Sequence, residues 1–423
     1  MAPTRFREAE QRGRAIARPL FRLAHVSSEI DESLMERLGG ALMERDELGA
    51  ELAEAMRLPS GDPGRVSHRR VAAALRDAPH LADDLPPALE RFMAELTTVP
   101  EWVDWERVER GAAAFRHLGS NANDVLLQLS LIGGYRFGGP ADLLVLTDGL
   151  GGENTLRRLA ETQKWTHEVT RAGGLRPGAE GWRLTVHVRA MHALVNARFE
   201  PSWDSERWGL PINQSDQAGT LGLFDSTVIL GCLGLGVPLS RRQRDDLMHL
   251  WRYVGWLMGV APDFLTDVES VRHRLNYHVL LSAAGQTRAG RVLARAAVET
   301  QRMRAFGHRN ALVERLHQRY ERARTLSMLT AFLGPSGMRD LGLPVRLPWA
   351  LVLAFAGNTL RYRVLGALPG GRRRTEERGA RAQERVLAST FRGRPAKVGE
   401  LSQVCFPAPS PPAVVQATPV SPL

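Results

Sequence analysis

The chain has 423 residues, 43% of them apolar, which is enough to bury a sizeable core and excludes a chain that is disordered as a whole. The formal net charge of +10 is dominated by arginine; such a balance can attract nucleic acid, an anionic membrane surface or an acidic ligand, or can simply reflect the base composition of a genome. The sequence has no zinc-finger, RNA-recognition or convincing helix-turn-helix pattern, so nucleic acid is not expected as a partner, and two cysteines are too few for a disulfide framework or a cysteine-based metal site.

The first residues predict a protein without an export signal. Residues 1–20 are basic but contain no apolar stretch followed by a small-residue cleavage site. The longest strongly apolar run, residues 348–357, is about half of the roughly 20 residues that span a bilayer. We therefore expect a cytoplasmic protein, and a loose peripheral contact with a membrane stays open.

Helical patterns dominate the rest of the chain. Aromatic residues make up only 6% of the sequence and alternating β-branched runs are sparse, so strands are not expected. Apolar residues recur instead at the spacing of amphipathic helices. This spacing predicts helices over residues 28–57 (a pair), 67–76, 86–96, about 102–118, 153–171, 182–199, 214–235, 241–258, 262–277 and 288–333.

One segment, residues 123–150, is apolar and interrupted by glycines, with few charges. We expect it to be buried core, with a channel lining for an apolar substrate over residues 123–135 as the alternative.

Changes in composition divide the chain into three parts. We predict a helical N-terminal extension over residues 1–60, one large all-α domain over residues 61–370, and a C-terminal tail over residues 371–423. The tail begins with a charge run that extends a short helix to about Phe391. From residue 407 it is proline-rich, which predicts disorder.

A histidine lies on the apolar face of the helix predicted over residues 182–199. That face is formed by Leu184, Val188, Met191, Val195 and Phe199. His192 follows Val188 by four residues and precedes Val195 by three, so its ring is directed at the core, whereas His187 points away. A neutral imidazole in an apolar pocket suits a proximal haem ligand, and a core histidine bonded to a carbonyl is the alternative.

The helix predicted over residues 153–171 carries polar side chains on one face. Arg158 and Thr162 are four residues apart, and Glu161 lies beside them. A guanidinium, a hydroxyl and a carboxylate could surround one ligand, although a solvated face with an Arg-Glu pair has the same pattern.

Several short motifs occur together in a fixed order. They are Val-Pro-Glu-Trp-Val-Asp at 99–104, Arg110-Gly111, Arg157-Arg158 with Glu161-Thr162, Val188-Arg189 with His192, Gly-Leu-Pro-Ile-Asn-Gln at 209–214, Phe224, and His-Leu-Trp-Arg-Tyr-Val-Gly at 249–255 with Gly259-Val260. Over about residues 99–265 the sequence thereby resembles the catalytic domain shared by bacterial latex clearing proteins, which are rubber oxygenases, and the fungal MpaB-type oxygenase that cuts a farnesyl chain.

The resemblance implies a globin-like, haem-binding helical core with extra helices. It implies that His192 is the proximal, iron-binding ligand of haem b and that Arg158 and Thr162 line the distal side. Rubber-cleaving members have a lysine just before that threonine, which can occupy the distal iron position in the closed state. Here the residue is Glu161, so distal lysine ligation is not expected, and Lys164 is a poor substitute on another face.

Three further residues are candidates for contacts with haem propionates. Arg189 lies close to His192 in sequence, and Arg252 and His249 belong to a later motif. Guanidinium groups bind carboxylates through a planar fork of donors, although structural ion pairs explain the same residues equally well. For Asn213 and Asp216, helix capping is the preferred interpretation.

The expected function is that of a haem b-dependent oxygenase, an oxidoreductase acting on an apolar substrate such as an isoprenoid. Its partners would be that substrate and O2. In this scheme Arg158 and Thr162 position oxygen or the carbonyl product, and Glu161 is a candidate base for removing an allylic proton. Two alternatives stay open: a haem-binding or redox protein without turnover, and a metal-free helical lipid or membrane-surface protein.

Overall fold

The computed structural model describes residues 2–148 and 152–392, and the regular structure within these ranges is entirely helical. The predicted all-α class is therefore confirmed, and the helices form one domain.

The first half of the chain contributes helices that pack with those of the second half. Its α-helices are α1 (Glu10–Ile16), α2 (Arg18–Leu23), α3 (Glu32–Ala41), α4 (Glu47–Arg57), α5 (His68–Asp77), α6 (Pro87–Thr97), α7 (Trp105–Leu118), α8 (Ser120–Asp124), α9 (Pro140–Asp148), α10 (Gly152–Val169) and α11 (Glu180–Phe199). A π-helix, π1 (Val125–Ile132), continues directly from α8.

The second half completes the domain. Its α-helices are α12 (Ser205–Trp208), α13 (Gln214–Phe224), α14 (Ser226–Gly234), α15 (Arg241–Leu257), α16 (Glu269–Ser282), α17 (Arg288–Glu299), α18 (Ala311–Asp340), α19 (Trp349–Asn358) and α20 (Gly371–Thr390). Shorter pieces are the π-helix π2 (Thr359–Val364) and 3-10 turns at Glu200–Ser202, Pro262–Phe264, Thr300–Arg302 and Leu365–Ala367.

The predicted helices recur with shifts at some of their ends. The stretch predicted over residues 214–235 is divided into α13 and α14, because the backbone turns at Asp225, with φ −95° and ψ −98°. The stretch predicted over residues 288–333 is likewise divided into α17 and α18. Helices α1, α2 and α19 were not predicted individually, because each is short or lacks a polar face.

Local signals explain where the central helices begin and why they pack closely. The Asp104 carboxylate accepts hydrogen bonds from the first backbone amides of α7, and Ser240 forms a capping box with Gln243 at the start of α15. Gly111 then lies directly against the backbone of Asp246, where any side chain would collide. This glycine lets α7 and α15 cross at short distance in the middle of the core.

The N-terminal helices and α20 pack onto the same body. Gly13 of α1 lies against the backbone of Leu280 in α16, and Gly379 of α20 lies against that of Arg116 in α7. Contacts thus cross both predicted boundaries, at residues 60 and 370, and the boundaries stay predictions. The tail predicted to be disordered, from residue 407, is outside the described residues.

Candidate functional site

A large cavity lies within the helical domain. Its volume is about 1540 Å³, whereas pockets for small ligands are typically about 300–1,000 Å³. Its walls come from π1 and helices α9, α10, α11, α13 and α16, with α1 and α2 contributing on one side. Most of the lining side chains are apolar, so the cavity suits a large apolar ligand.

Helix α11 presents its predicted apolar face to this cavity. Leu184, Val188, Met191 and Val195 line the cavity together with His192. The opposite face of the helix carries Trp182 and other fully buried residues that pack into the core. The face that the sequence assigned to the core therefore faces a cavity inside the core.

The His192 ring is chemically unusual. It makes no hydrogen bond to the described chain, and its Nδ1 atom is buried without a partner. Burial lowers the pKa of His192 to about 4, a shift that the negative charge of Asp46 opposes and the positive charge of Arg158 reinforces. The ring is thus neutral near pH 7, as a metal-binding imidazole must be.

Helix α10 brings Arg158, Glu161 and Thr162 to the same cavity. Thr162 is exposed to the cavity space, whereas the Glu161 carboxylate accepts a hydrogen bond of 3.2 Å from Arg157 Nη1. Lys164 points elsewhere: its Nζ lies 2.6 Å from Glu168 Oε1. The side chain at position 161 on this wall is therefore a carboxylate and not a lysine amine.

Arg158 is electrostatically linked to two other groups on the cavity wall. Burial raises the pKa of Tyr135 to about 12, and the positive charge of Arg158 opposes that rise. The same charge contributes to the low pKa of His192. The positive charge of Arg158 therefore acts on both rings.

Three aromatic side chains close another part of the wall. The ring centroids of Trp165 and Phe224 are 5.2 Å apart, and those of Phe224 and Trp251 are 5.3 Å apart. Trp165 Nε1 donates a hydrogen bond of 2.9 Å to Thr185 Oγ1, which fixes the indole. All three rings line the cavity and give it a rigid apolar end.

The apolar segment over residues 123–135 is partly buried core, as predicted, and partly cavity wall, and its role as a substrate channel stays a prediction. Val125, Gln128 and Ile132 are buried, while Leu126, Leu129 and others line the cavity. Its central part, π1, is a π-helix, a conformation that is rare and is often found at functional sites.

Arg189 does not reach the cavity wall in the described structure. Its Nε and Nη2 atoms donate hydrogen bonds of 2.6 and 2.7 Å to the Asp46 carboxylate, and its guanidinium lies 5.5 Å from the Phe92 ring centroid. This bidentate pair joins α11 to the start of α4. A contact between Arg189 and a haem propionate stays a prediction.

His249 and Arg252 also lie off the cavity wall among the described residues. His249 Nε2 accepts a hydrogen bond of 3.0 Å from the Asp104 amide, and its Nδ1 lies 3.2 Å from Asp267 Oδ2. The Arg252 guanidinium lies 4.1 Å from the Trp102 ring centroid and 3.7 Å from Asp267. These contacts connect the motif at residues 99–104 to α15. Contacts of His249 and Arg252 with a haem propionate likewise stay predictions.

Four arginines on the cavity wall were missed from sequence: Arg5, Arg12, Arg18 and Arg136. A signal for Arg136 was present, because it is the one charged residue between Asp124 and Asp142. Arg12 carried no signal, because only the packing of α1 against α16 brings it there.

Other kinds of site have no support in the described ranges. No group of three or more His, Cys, Asp or Glu side chains there could hold a metal ion. None of the helices in those ranges combines the length and apolarity needed to cross a bilayer.

As predicted, Asn213 caps α13: its side chain accepts a hydrogen bond of 2.9 Å from the Asp216 amide.

Comparisons with known proteins agree with this architecture. Residues 139–364, just over half of the chain, match the family described as "ER-bound oxygenase mpaB/B'/Rubber oxygenase, catalytic domain". A rubber oxygenase of Streptomyces sp. (strain K30) is 21% identical over 227 residues, which cover 50% of this chain and only 53% of that protein. The structure of a latex clearing protein in the closed state superposes with a TM-score of 0.57 at 19% identity, over 86% of this chain and 94% of the other, and at that identity the likeness concerns the fold.

Proposed function

Because the chain belongs to the family of the mpaB-type and rubber oxygenase catalytic domain, we propose that it is a haem b-dependent oxygenase. It would use O2 to cleave or oxidise a C=C bond of an apolar substrate such as an isoprenoid. The family supports oxygenase chemistry, and the size and lining of the cavity support both a large planar cofactor and an apolar chain.

One observation carries the proposal: the His192 imidazole lies on the wall of an apolar cavity, neutral and without any hydrogen bond to the described chain. An imidazole binds a metal through a nitrogen lone pair, and no hydrogen bond from the described chain occupies the His192 ring. The Nδ1 atom is buried, which leaves Nε2 as the nitrogen directed at the cavity. With these properties, His192 would be the residue that holds the iron of a bound haem.

Helix α10 would supply polar groups on its part of the cavity wall. Bound haem would supply the iron that activates O2. Arg158 and Thr162 can donate hydrogen bonds to an oxygen atom held near them, because a guanidinium and a hydroxyl are both donors. Glu161 can accept an allylic proton once its carboxylate leaves Arg157.

The remaining walls would orient the substrate. Trp165, Phe224 and Trp251 offer flat apolar surfaces, and the leucines of π1 offer flexible ones. An apolar chain packed against these walls excludes water from its double bonds, so that Glu161 and Arg158 act in a medium of low polarity.

The visible spectrum of protein produced with a haem precursor tests the haem site. We expect a Soret band that is lost in His192→Ala, retained in His187→Ala, and partly restored to His192→Ala by added imidazole. The His187 variant is the matched control because it removes an imidazole from the same helix without altering the cavity wall. An unchanged Soret band in His192→Ala would exclude this residue as the ligand.

Turnover separates the oxygenase from a haem-binding protein without catalysis. The haem-loaded protein should consume O2 in the presence of a prenyl substrate and yield carbonyl products that a hydrazine reagent traps. Thr162→Val, which removes the hydroxyl but keeps the shape, should slow this reaction without loss of haem. Haem binding with no O2 consumption on any prenyl chain would favour the non-catalytic alternative.

A further inference from the structure

Arg136 is a buried cation without a counter-ion. Its side chain is 8% exposed, and its Nε donates a hydrogen bond of 3.0 Å to the Gly133 carbonyl. Within the ranges that the structure describes, no carboxylate lies at ion-pair distance from it. Buried charges in proteins are ordinarily paired, because leaving water is costly for an ion.

The charged groups nearest to Arg136 do not neutralise its positive charge. Arg12 Nη2 lies 2.8 Å from Asp340 Oδ2, so the one neighbouring carboxylate already has a partner. Burial, followed by the charge of Arg12, lowers the pKa of Arg136 to about 10, and Asp340 only partly opposes this. The guanidinium therefore stays protonated near pH 7, and the carboxylate of Asp340, which acts on it from a distance, is already bound by Arg12.

This wall is a different part of the cavity from the His192 wall. The Arg136 guanidinium packs beside Gly337 of α18, whereas His192 lies on α11. Apolar side chains of π1 precede Arg136 in the chain and line the cavity with it. The cavity thus combines a neutral nitrogen ligand, a long apolar surface and a separate unpaired cation.

We propose that Arg136 binds the anionic group of a cavity ligand, a carboxylate or phosphate, and that the substrate is an apolar chain with an anionic end. The inference deepens the proposed function, since it names a class of substrate for the same cavity. A haem propionate offers the same carboxylate chemistry, so the test must separate the two sources.

Thermal unfolding of the haem-free protein with farnesoic acid or farnesol as probe is the first part of the test. Both probes have the same chain, and the acid should bind wild type roughly tenfold or more tightly than the alcohol, as a charge-assisted pair would give. In Arg136→Met this preference should vanish, while Arg136→Lys and the exposed control Arg69→Met should keep it.

Without any probe, Arg136→Met should unfold at the same or a higher temperature than wild type, because it removes an unpaired buried charge. If Arg136 formed a structural ion pair instead, Arg136→Met would unfold at a lower temperature than wild type. The thermal transition itself shows that the variant folds. A Soret titration is the second part. If wild type binds farnesoic acid and farnesol alike, but Arg136→Met binds haem more weakly than wild type, the anion that Arg136 binds is a haem propionate.

Equal probe binding and equal haem binding by wild type and Arg136→Met would overturn the subsite. The haem oxygenase proposal would survive that result, because it depends on His192 and its Soret band.

A second surface, formed by α19 and its flanks, carries an independent inference. Val352 and Leu353 of α19 are 64% and 60% exposed, and Leu347 and Leu360 on either side are also exposed. Contiguous exposed apolar side chains of this kind mark interaction sites. Residues 341–375 include six arginines and no aspartate or glutamate, so the surroundings of this surface are positively charged.

We infer that α19 lies in the surface of an anionic bilayer, with its apolar side chains among the lipids and the arginines at the headgroups. The helix has ten residues, too few to span a bilayer but enough to lie in its plane. Arginines beside it add attraction to anionic lipids.

Co-sedimentation with phosphatidylcholine vesicles, with and without phosphatidylglycerol, tests this surface. The full chain should sediment with the anionic vesicles and be released by salt. Val352→Ser with Leu353→Ser should abolish binding, whereas Leu312→Ser with Leu316→Ser, which changes residues of α18 that are 62% and 55% exposed, should not. Equal sedimentation of both double variants would refute the inference, as would a dimer in solution that only the α19 variant disrupts.

Discussion

Replacing His192 by leucine should change how the stability of the haem-free protein depends on pH. The folded chain holds the pKa of His192 at about 4, against an ordinary value of 6.5, because the ring is buried. Between these pH values the unfolded chain binds a proton that the folded chain excludes. Wild type therefore keeps its full stability above pH 6.5 and loses stability as the pH falls toward 4.

The size of the effect follows from the two values. At 1.36 kcal/mol per pKa unit, the difference between 6.5 and about 4 corresponds to roughly 3 kcal/mol lost by pH 4. Leucine cannot titrate, so His192→Leu should not suffer this loss. At neutral pH the variant should be as stable as wild type or more stable by about 1 kcal/mol, because the buried Nδ1 atom has no partner to lose.

Urea unfolding of both proteins between about pH 8 and about pH 4 measures the difference directly. The exposed residue His80 provides a matched control, and His80→Leu should follow the wild-type curve. Parallel curves for wild type and His192→Leu would refute the argument, because they would mean that His192 is as well solvated in the folded chain as in the unfolded one.

Three further outcomes are expected. Asp46→Ala should lower the free energy of unfolding by about 3–5 kcal/mol in urea, because it removes the close bidentate partner of the buried Arg189 and leaves only Glu95, whose Oε1 lies 3.8 Å from Arg189 Nη2. Asp46→Leu with Arg189→Met should recover most of this stability, and an equal loss in both variants would contradict the prediction. Glu161→Lys should move the haem spectrum toward the six-coordinate type, and Glu161→Gln should not. Gly111→Ala should destabilise the protein by about 1–3 kcal/mol in the same urea assay, because its Cβ meets the Asp246 backbone; an unchanged midpoint would argue against close α7–α15 packing.

Much of the candidate site could be predicted because it lies on regular helices. His192 on α11 and Arg158, Glu161 and Thr162 on α10 all line one cavity, as helical spacing and family resemblance indicated. Their roles stay predictions. The resemblance itself is confirmed by the family match over residues 139–364.

The other candidates show the limit of that reasoning. Arg189 is near His192 in sequence, yet its guanidinium binds Asp46, which lies 143 residues away. His249 and Arg252 meet Asp267 in the same way. A sequence shows that an arginine needs a carboxylate but not which one, since several lie within reach only after the helices have packed.

The amino-acid sequence alone determined the helical class, the bounds of many central helices and the sides of α10 and α11 that turn away from bulk water. Periodicity reports which face leaves the solvent, and it cannot report what fills the space beyond. Only the packing of helices distant in sequence decided that this space is a cavity, and that Arg136 stands on its wall with no counter-ion among the described residues. The physical reason is that burial and charge pairing depend on neighbours from the whole chain, whereas helix formation depends on residues a few positions apart.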